Sequence, residues 1–336
     1  MRPRIRYCDT PAGRVAYSTA GTGPPLLCDS GWITHLHGQL ELFSFGAFFA
    51  GLAERFTVIR YDKPGCGLSE RDGIDLSFDG QVAAALAVAD AVGAGRFRLF
   101  GASQGGQLAA AIAARHPDRA EALVVYGMCA SGADLAPAEV RESVVGLVRA
   151  HWGLGLKALT GAFVTDPTAE DLARFTRFQR ASASAAVAAR LLEVYYGTDV
   201  RALLPAVLAR TAVLHREGDE GTRFELGREV AALIPGATLV PLPGTSHLYY
   251  HGDWEGVLEA TVSFLHEPAD AGPRLTEREL EVAELVAKGL TNGAIARRLS
   301  VAPRTAEAHV ENIRRKLQVR SRAQIAAWVT EYRLRS

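Results

Sequence analysis

Phe97-Arg98-Leu99-Phe100-Gly101-Ala102-Ser103-Gln104-Gly105-Gly106, running into the helical stretch Leu108 to Arg115, decides the reading of this chain. A short β-prone run gives way within one turn to an alanine-rich segment of helical period, and a serine stands at the junction with a glycine two residues to either side. Such a turn needs small neighbours, so that the hydroxyl stands clear and the next N–H faces outward. The G-x-S-x-G string is only moderately specific; its place between strand and helix makes Ser103 a candidate nucleophile.

Outward from this turn, other β-branched or aromatic runs alternate with helical segments. They are Arg14 to Ser18, Pro25 to Cys28, Phe56 to Tyr61, Ala122 to Tyr126, Ala212 to His215 and Thr238 to Leu242. The alternation predicts an α/β fold with a mostly parallel sheet wrapped by helices. Between Ala130 and Pro205 the strand signal stops and helical segments such as Leu172 to Tyr196 take over, which predicts an inserted helical cap over about residues 131–205.

A serine hydroxyl needs a histidine to take its proton, and the histidine needs a carboxylate to fix its tautomer. Asp219 follows the predicted strand 212–215 and His247 follows the predicted strand 238–242, positions where ligands and catalytic groups of such sheets collect. Glu217 and Glu220 compete with Asp219. His116 and His266 fall at helix ends and His215 within a strand, so His247 is the favoured base. Trp32, His35, His37, Tyr249 and Tyr250 flank these loops and are candidates for lining a pocket, of which His35 and Tyr249 are singled out.

Over roughly residues 10–266 the chain resembles the α/β-hydrolase family, through the elbow at Ser103, the segment Arg60-Tyr61-Asp62-Lys63-Pro64-Gly65-Cys66-Gly67-Leu68-Ser69, the loop with Asp219 and the Gly244-Thr245-Ser246-His247 loop. The resemblance implies a Ser103, Asp219, His247 triad. It also implies an oxyanion hole made by the Gln104 N–H and a donor from Asp29-Ser30-Gly31-Trp32, taken as Trp32 N–H, although Ser30 replaces the histidine often found there.

The 336 residues are 48% hydrophobic and 22% charged, which excludes a disordered chain, a collagen and a disulfide scaffold. No long apolar run and no secretory leader are read, so the expected site of action is the cytoplasm, away from membranes. Cys8, Cys28, Cys66 and Cys129 form no C-x-x-C pair; neither a metal site nor a cofactor is expected. The 37 basic and 37 acidic residues cancel overall but not locally. Residues 274–336 carry 13 Lys and Arg against 7 Asp and Glu, which leaves an excess of 6 acidic residues in 1–273. A basic segment of this kind is a prior for nucleic-acid contact. The predicted organisation is therefore a domain at 1–266, a Pro- and Gly-containing linker at 267–273 and a small all-α domain at 274–336.

That small domain opens with a capping box at Thr276-Glu277-Arg278-Glu279 and ends its first helix at Lys288-Gly289. A second helix spans about Thr291 to Leu299, and Pro303 starts a third. In the third, Ala306, Val310, Ile313 and Leu317 form one buried stripe, leaving Arg304, Ala308, Glu311, Asn312 and Arg315 outward, with Thr305 and Lys316 at the margins. A fourth helix follows from about Ser321 to Tyr332. Two short helices before a longer helix with a polar face are the geometry of a helix-turn-helix, in which the longer helix lies in the major groove.

Residues 275–328 resemble the LuxR-type DNA-binding domain through Leu275-Thr276-Glu277-Arg278-Glu279, Gly289-Leu290-Thr291-Asn292, Ile295-Ala296, Arg304-Thr305-Ala306-Glu307, His309-Val310, Ile313, Lys316-Leu317 and Val319-Arg320-Ser321-Arg322. The resemblance implies a regulator that binds double-stranded DNA as a homodimer, with the fourth helix at the dimer contact; the outward and marginal residues of the third helix, Arg304, Thr305, Ala308, Glu311, Asn312, Arg315 and Lys316, are the candidate DNA contacts. Gly293-Ala294 and Ala302 depart from the family pattern; a helical glycine and a lost cap each cost about 1 kcal/mol. Two readings stand at this stage. One is a one-component transcriptional regulator whose hydrolase-like domain binds a small-molecule signal, with slow hydrolysis left open. The other is a serine ester or lactone hydrolase whose tail dimerises or localises it.

Overall fold

The computed structural model describes residues 4–165, 167–266, 275, 277–299, 301–317, 319 and 321–335. It divides into two units, Met1–Glu267 and Pro268–Ser336. In chain order the first contains β1 (Arg6–Thr10), β2 (Gly13–Ala20), β3 (Pro25–Asp29), α1 (Phe45–Ala53), β4 (Thr57–Tyr61), α2 (Phe78–Ala91), β5 (Phe97–Ala102), α3 (Gln104–Arg115), β6 (Ala120–Tyr126), α4 (Ala138–Ala150), α5 (Trp152–Phe163), α6 (Ala169–Ser182), α7 (Ala185–Gly197), β7 (Arg210–Arg216), α8 (Phe224–Leu233), β8 (Thr238–Leu242) and α9 (Trp254–His266).

The strands form one sheet in the order β1-β2-β4-β3-β5-β6-β7-β8. β1, β2 and β4 pair antiparallel, and every pair from β4 onward is parallel. The strands read from sequence are present. β1 is an additional edge strand: its mixed residues Arg6-Tyr7-Cys8-Asp9-Thr10 bury little, and it is held by the hairpin in which Thr10 Oγ1 accepts the Ala12 N–H at 3.1 Å. Central β5 is buried at every residue, as a strand covered on both faces must be. Phe100, Val124 and Leu214 face one apolar layer, while Leu99, Val125 and Val213 face the other. The parallel strands end together: Asp29 pairs Gly101, Ala102 pairs Tyr126, and Arg216 pairs Leu242.

Four α-helices, α4 to α7, lie between β6 and β7. The single helical segment expected over Leu172 to Tyr196 is two helices. Ala183 is extended at φ −149°, ψ 154°, and the Ser184 hydroxyl accepts the Val187 N–H at 3.3 Å to start α7. A serine offers the backbone this alternative partner, which is why it caps helices more readily than it continues them.

The second unit contains α10 (Glu277–Ala287), α11 (Asn292–Leu299), α12 (Pro303–Leu317) and α13 (Arg322–Arg335). The capping threonine Thr276 and the linker at 267–273 lie outside the described residues. Gly289, at φ +81°, ends α10, with Leu290 N–H reaching back to the Leu285 carbonyl at 3.1 Å. Ala306, Val310, Ile313 and Leu317 are buried together with Val282, Ile295, Ile325 and Val329. Arg322 donates to Asn292 Oδ1 at 2.6 Å, tying the start of α13 to the start of α11.

At the end of β4, the chain wraps around Asp62. Its carboxylate accepts the Leu68 N–H at 2.8 Å, and Gly67, at φ +54°, has no room for a Cβ against that carboxyl group. Burial pushes Asp62 up to about 7, against the pull of the Leu68 N–H and the Arg60 charge. An unfolded aspartate titrates near about 4. Between these values the folded protein keeps a proton that the unfolded chain releases, so stability falls as pH rises from about 4 to about 7. Asp62→Asn is expected to remove this loss. Urea midpoints measured across that range should show the variant gaining on wild type as pH rises, and a constant difference would refute the assignment.

Candidate functional site

The site is assembled where the parallel strands end. Ser103, between β5 and α3, has φ 54° and ψ −123°, a strained backbone for a residue with a side chain. Its surroundings impose this turn. A Cβ on Gly101 would lie 2.4 Å from the Gly105 carbonyl oxygen, and one on Gly105 would lie 2.4 Å from that of Asp29. The Ser103 N–H is fixed on the Tyr126 carbonyl at 2.8 Å.

His247 Nδ1 donates to Asp219 Oδ2 at 2.8 Å, which leaves Nε2 as the basic nitrogen. Asp219 Oδ1 also accepts the N–H groups of Gly221 and Thr222, each at 2.9 Å. Burial alone would raise the Asp219 carboxyl; the charge and hydrogen bond of His247, with the Thr222 N–H, outweigh it and hold the group below its ordinary value. Asp219 is therefore ionised at neutral pH and able to stabilise an imidazolium. His215 lies behind it, 3.7 Å from Asp219 Oδ2, with its own proton affinity lowered chiefly by burial. Glu217 and Glu220 make no contact with His247; Asp219 is the carboxylate that pairs with it.

Two buried cations hold the loops around these groups. Arg216, at the end of β7, donates to the carbonyls of Ser246, Leu248, His251 and Asp253 at 2.6–3.4 Å, gripping the loop that carries His247. Lys63 is fully buried; its Nζ lies 3.0 Å from Asp29 Oδ2 and donates to Gln81 Oε1 at 3.2 Å and Gln104 Oε1 at 3.3 Å. Burial lowers its proton affinity while Asp29 opposes the change. One ammonium thus ties the Gln104 side chain to the residue from which the Ser30-Gly31-Trp32 loop departs. Neither the Gln104 nor the Trp32 N–H has an acceptor among the described residues, leaving both able to donate to an oxyanion.

A cavity of about 50 Å³ is walled by Trp32, Ser103, Phe163, Phe178, His247 and Tyr249, with Ser30, Gly31, Ile33, Gln39, Phe175 and Tyr250 completing much of its lining. It is small: sites for drug-sized ligands occupy about 300 Å³ or more. Phe178 of α6 also borders an outer cleft of about 430 Å³ lined by Glu41, Leu42, Arg174 and Arg177. Tyr249 is in the lining, and its buried hydroxyl has no hydrogen-bond partner. His35 is not: its Nδ1 accepts the Gly38 N–H at 3.4 Å within its own loop, because the turn at 35–41 curls the ring onto that backbone. Among the described residues no cluster of His, Cys, Asp and Glu could hold a metal ion, and no helix is long and apolar enough to cross a membrane.

Sequence reasoning missed Lys63, Arg216 and the cap residues Phe163, Phe175, Phe178 and Tyr195. The Tyr195 hydroxyl lies 3.3 Å from Ser103 Oγ, a contact that no spacing along the chain announces. The i, i+3 pair Phe175 and Phe178 was a readable signal of one apolar helix face.

On α12, Arg304, Thr305, Ala308 and Glu311 are exposed and Asn312 is half-buried, on the side away from the buried stripe. Glu311 pairs with Arg314 at 3.0 Å, so its charge is partly met within the helix. The side chains of Arg315 and Lys316 lie outside those described.

The Arg216 grip generates a prediction. Arg216→Met should strand several loop carbonyls and destabilise the first unit by about 3 kcal/mol. Hydrogen exchange should accelerate most at residues 246–253. Unchanged urea stability together with unchanged exchange there would show that the loop holds itself.

Residues 24–252 match the family described as alpha/beta hydrolase fold, and residues 273–329 match bacterial regulatory proteins of the luxR family. Over 61 residues the chain is 39% identical to the nitrate/nitrite response regulator protein NarL of Escherichia coli, covering 18% of this chain and 28% of that protein. Over 123 residues it is 32% identical to haloalkane dehalogenase 2 of Mycobacterium bovis, covering 36% of this chain and 40% of that protein. The chain thus spans less than half the length of either curated relative. Among solved structures, the enol-lactonase from Burkholderia xenovorans superposes with a TM-score of 0.66 at 23% identity, over 78% of this chain and 100% of that one. An esterase from Exiguobacterium antarcticum gives 0.69 at 17% identity, over 79% and 100%. Likeness at such identities establishes the fold. With its sheet order, its strained serine turn and a family match over most of its length, the chain belongs to the α/β-hydrolase fold family and carries, in residues 273–329, a regulatory domain of the luxR family.

Proposed function

We propose that this protein is a one-component transcriptional regulator, acting in the cytoplasm as a homodimer on double-stranded DNA and controlled by a small molecule bound in the hydrolase-fold unit. The observation that carries the proposal is the union, in one chain, of a luxR-family domain with an aromatic-walled cavity that reaches Ser103 and His247. The domain boundaries at 1–266 and 274–336, with 267–273 between, belong to the same reading. The cavity lining favours a compact, largely apolar ligand with one polar group. Tyr249, which stands in the lining, belongs to the ligand pocket in this reading.

A second reading, serine ester or lactone hydrolysis, has its own support in the Asp219–His247 pair. In that chemistry Ser103 Oγ attacks the carbonyl carbon and its proton passes to His247 Nε2. The imidazolium is stabilised by Asp219, and the oxyanion is met by the Gln104 and Trp32 N–H groups. The leaving alcohol takes the proton from His247, and water then releases the acyl group by the reverse sequence. The two readings join if hydrolysis is slow beside ligand binding.

Ser103→Ala separates them. The variant should lose p-nitrophenyl acetate hydrolysis by at least about a thousandfold while full-length protein still shifts double-stranded DNA from its own regulatory region at moderate salt. Absence of specific DNA binding by wild type, with and without candidate ligands, would overturn the regulator reading. Arg315→Ala should weaken binding and reduce the salt slope by about 1; unchanged retention would remove it from the contacts.

A further inference from the structure

The nucleophile has a hydrogen-bond partner that the triad does not account for. Ser103 Oγ lies 3.3 Å from the hydroxyl of Tyr195, and among the described residues no hydrogen bond joins Ser103 to His247. Tyr195 is therefore the hydrogen-bond partner of the Ser103 side chain among the described residues. His247 stands in the lining of the cavity, and Tyr195 stands in the last turn of the cap helix α7.

The backbone around Tyr195 is tied to the segment after β6. The residue ends α7, where Gly132 donates to the Thr198 carbonyl at 2.9 Å and Val200 donates to the Ala130 carbonyl at 2.9 Å. Gly132 is packed so closely that a Cβ there would overlap the Tyr195 carbonyl oxygen. The phenol also lies 3.7 Å from Cys129 Sγ, and Cys129 is itself held by Gln107 Nε2, which donates to its carbonyl at 3.2 Å. These contacts fix the phenol on the extension of β6, close against the elbow. The ring is wholly buried, and burial drives its proton affinity up, so it stays a neutral phenol.

We propose that Tyr195 is a latch on the nucleophile: its hydroxyl holds Ser103 Oγ in a resting position away from His247, and attack requires that bond to be exchanged for one to His247 Nε2. The latch rests on the reading of Ser103, His247 and Asp219 as reactive groups, and it slows their attack by the worth of one hydrogen bond. A receptor benefits from such a device, because a bound carbonyl ligand then persists long enough to be sensed.

The test is the rate of labelling by a fluorophosphonate probe, in full-length protein. Ser103 Oγ forms a bond to phosphorus, the phosphorus–fluorine bond breaks, fluoride leaves, and the serine proton goes to His247 Nε2. Tyr195→Phe removes only the latching hydroxyl and should accelerate labelling about two- to tenfold, the worth of one hydrogen bond. With p-nitrophenyl acetate the gain should fall in kcat with KM unchanged. A merely structural tyrosine would give the opposite sign, since loosening the elbow slows attack. Tyr195→Leu, which also cannot bond the serine, provides the same comparison if the phenylalanine variant misfolds. Labelling of wild type with equal or slower labelling of folded Tyr195 variants would overturn the latch and leave the triad standing. Absence of labelling in wild type and both variants would overturn the triad and the latch together, and Ser103→Ala marks the background.

Discussion

One backbone turn constrains the rest of the first unit. Ser103 can hold φ 54° only because β5 delivers it into α3 between glycines whose missing side chains let the elbow press against the end of β3. Such strain costs about 1–3 kcal/mol and survives only where the surroundings over-determine it. Here they are β3 and β6, which flank β5 in register, with the Tyr126 carbonyl holding the Ser103 N–H. The order of the strands therefore places Asp29, Ser103 and the Gly127 turn side by side. Gly127 in turn leaves room for the His247 ring, since a Cβ there would stand 3.1 Å from its Cε1.

Desolvated cations then set the loops. A buried lysine or arginine without partners would be strongly destabilising, and each of these two is surrounded by acceptors. Lys63 meets one carboxylate and two amide oxygens; Arg216 meets only carbonyls. The difference has a consequence for the site. An ammonium paired with Asp29 stays near neutrality in net charge beneath the elbow, so it adds little field to Ser103 while fixing both donor loops. The guanidinium, planar and many-handed, suits a loop that offers several carbonyls in different directions.

Much of this could be read along the chain, and the exceptions share a cause. Ser103, Asp219 and His247 were legible because each is announced locally, by a strand ending in a glycine-rich or loop segment. The buried stripe of α12 was legible for the same reason, since helical period alone decides which of its side chains meet the core. Tyr195, Lys63 and Arg216 were not, because their roles arise from approach between segments 92, 41 and 30 residues apart. His35 shows the converse: proximity in sequence to the donor loop does not bring a side chain into the cavity when its own turn offers it a nearer partner. The break between α6 and α7 depended on whether Ser184 continued a helix or capped one, a competition that an apolar pattern does not register.

Phe163 joins the cavity wall to the loop that carries His247. Phe163, at the end of α5, stands in the wall of the cavity beside His247. The Phe163 ring packs on His247 with centroids 5.5 Å apart, while its carbonyl accepts the His247 N–H at 3.2 Å and the Ser246 hydroxyl at 3.3 Å. A ligand that moves this ring acts on the same residue whose peptide positions the base. Under the proposed reading, ligand binding and the placement of His247 are then coupled through the cap. Such coupling is worth no more than a ligand's difference in affinity between two placements of the Phe163 ring.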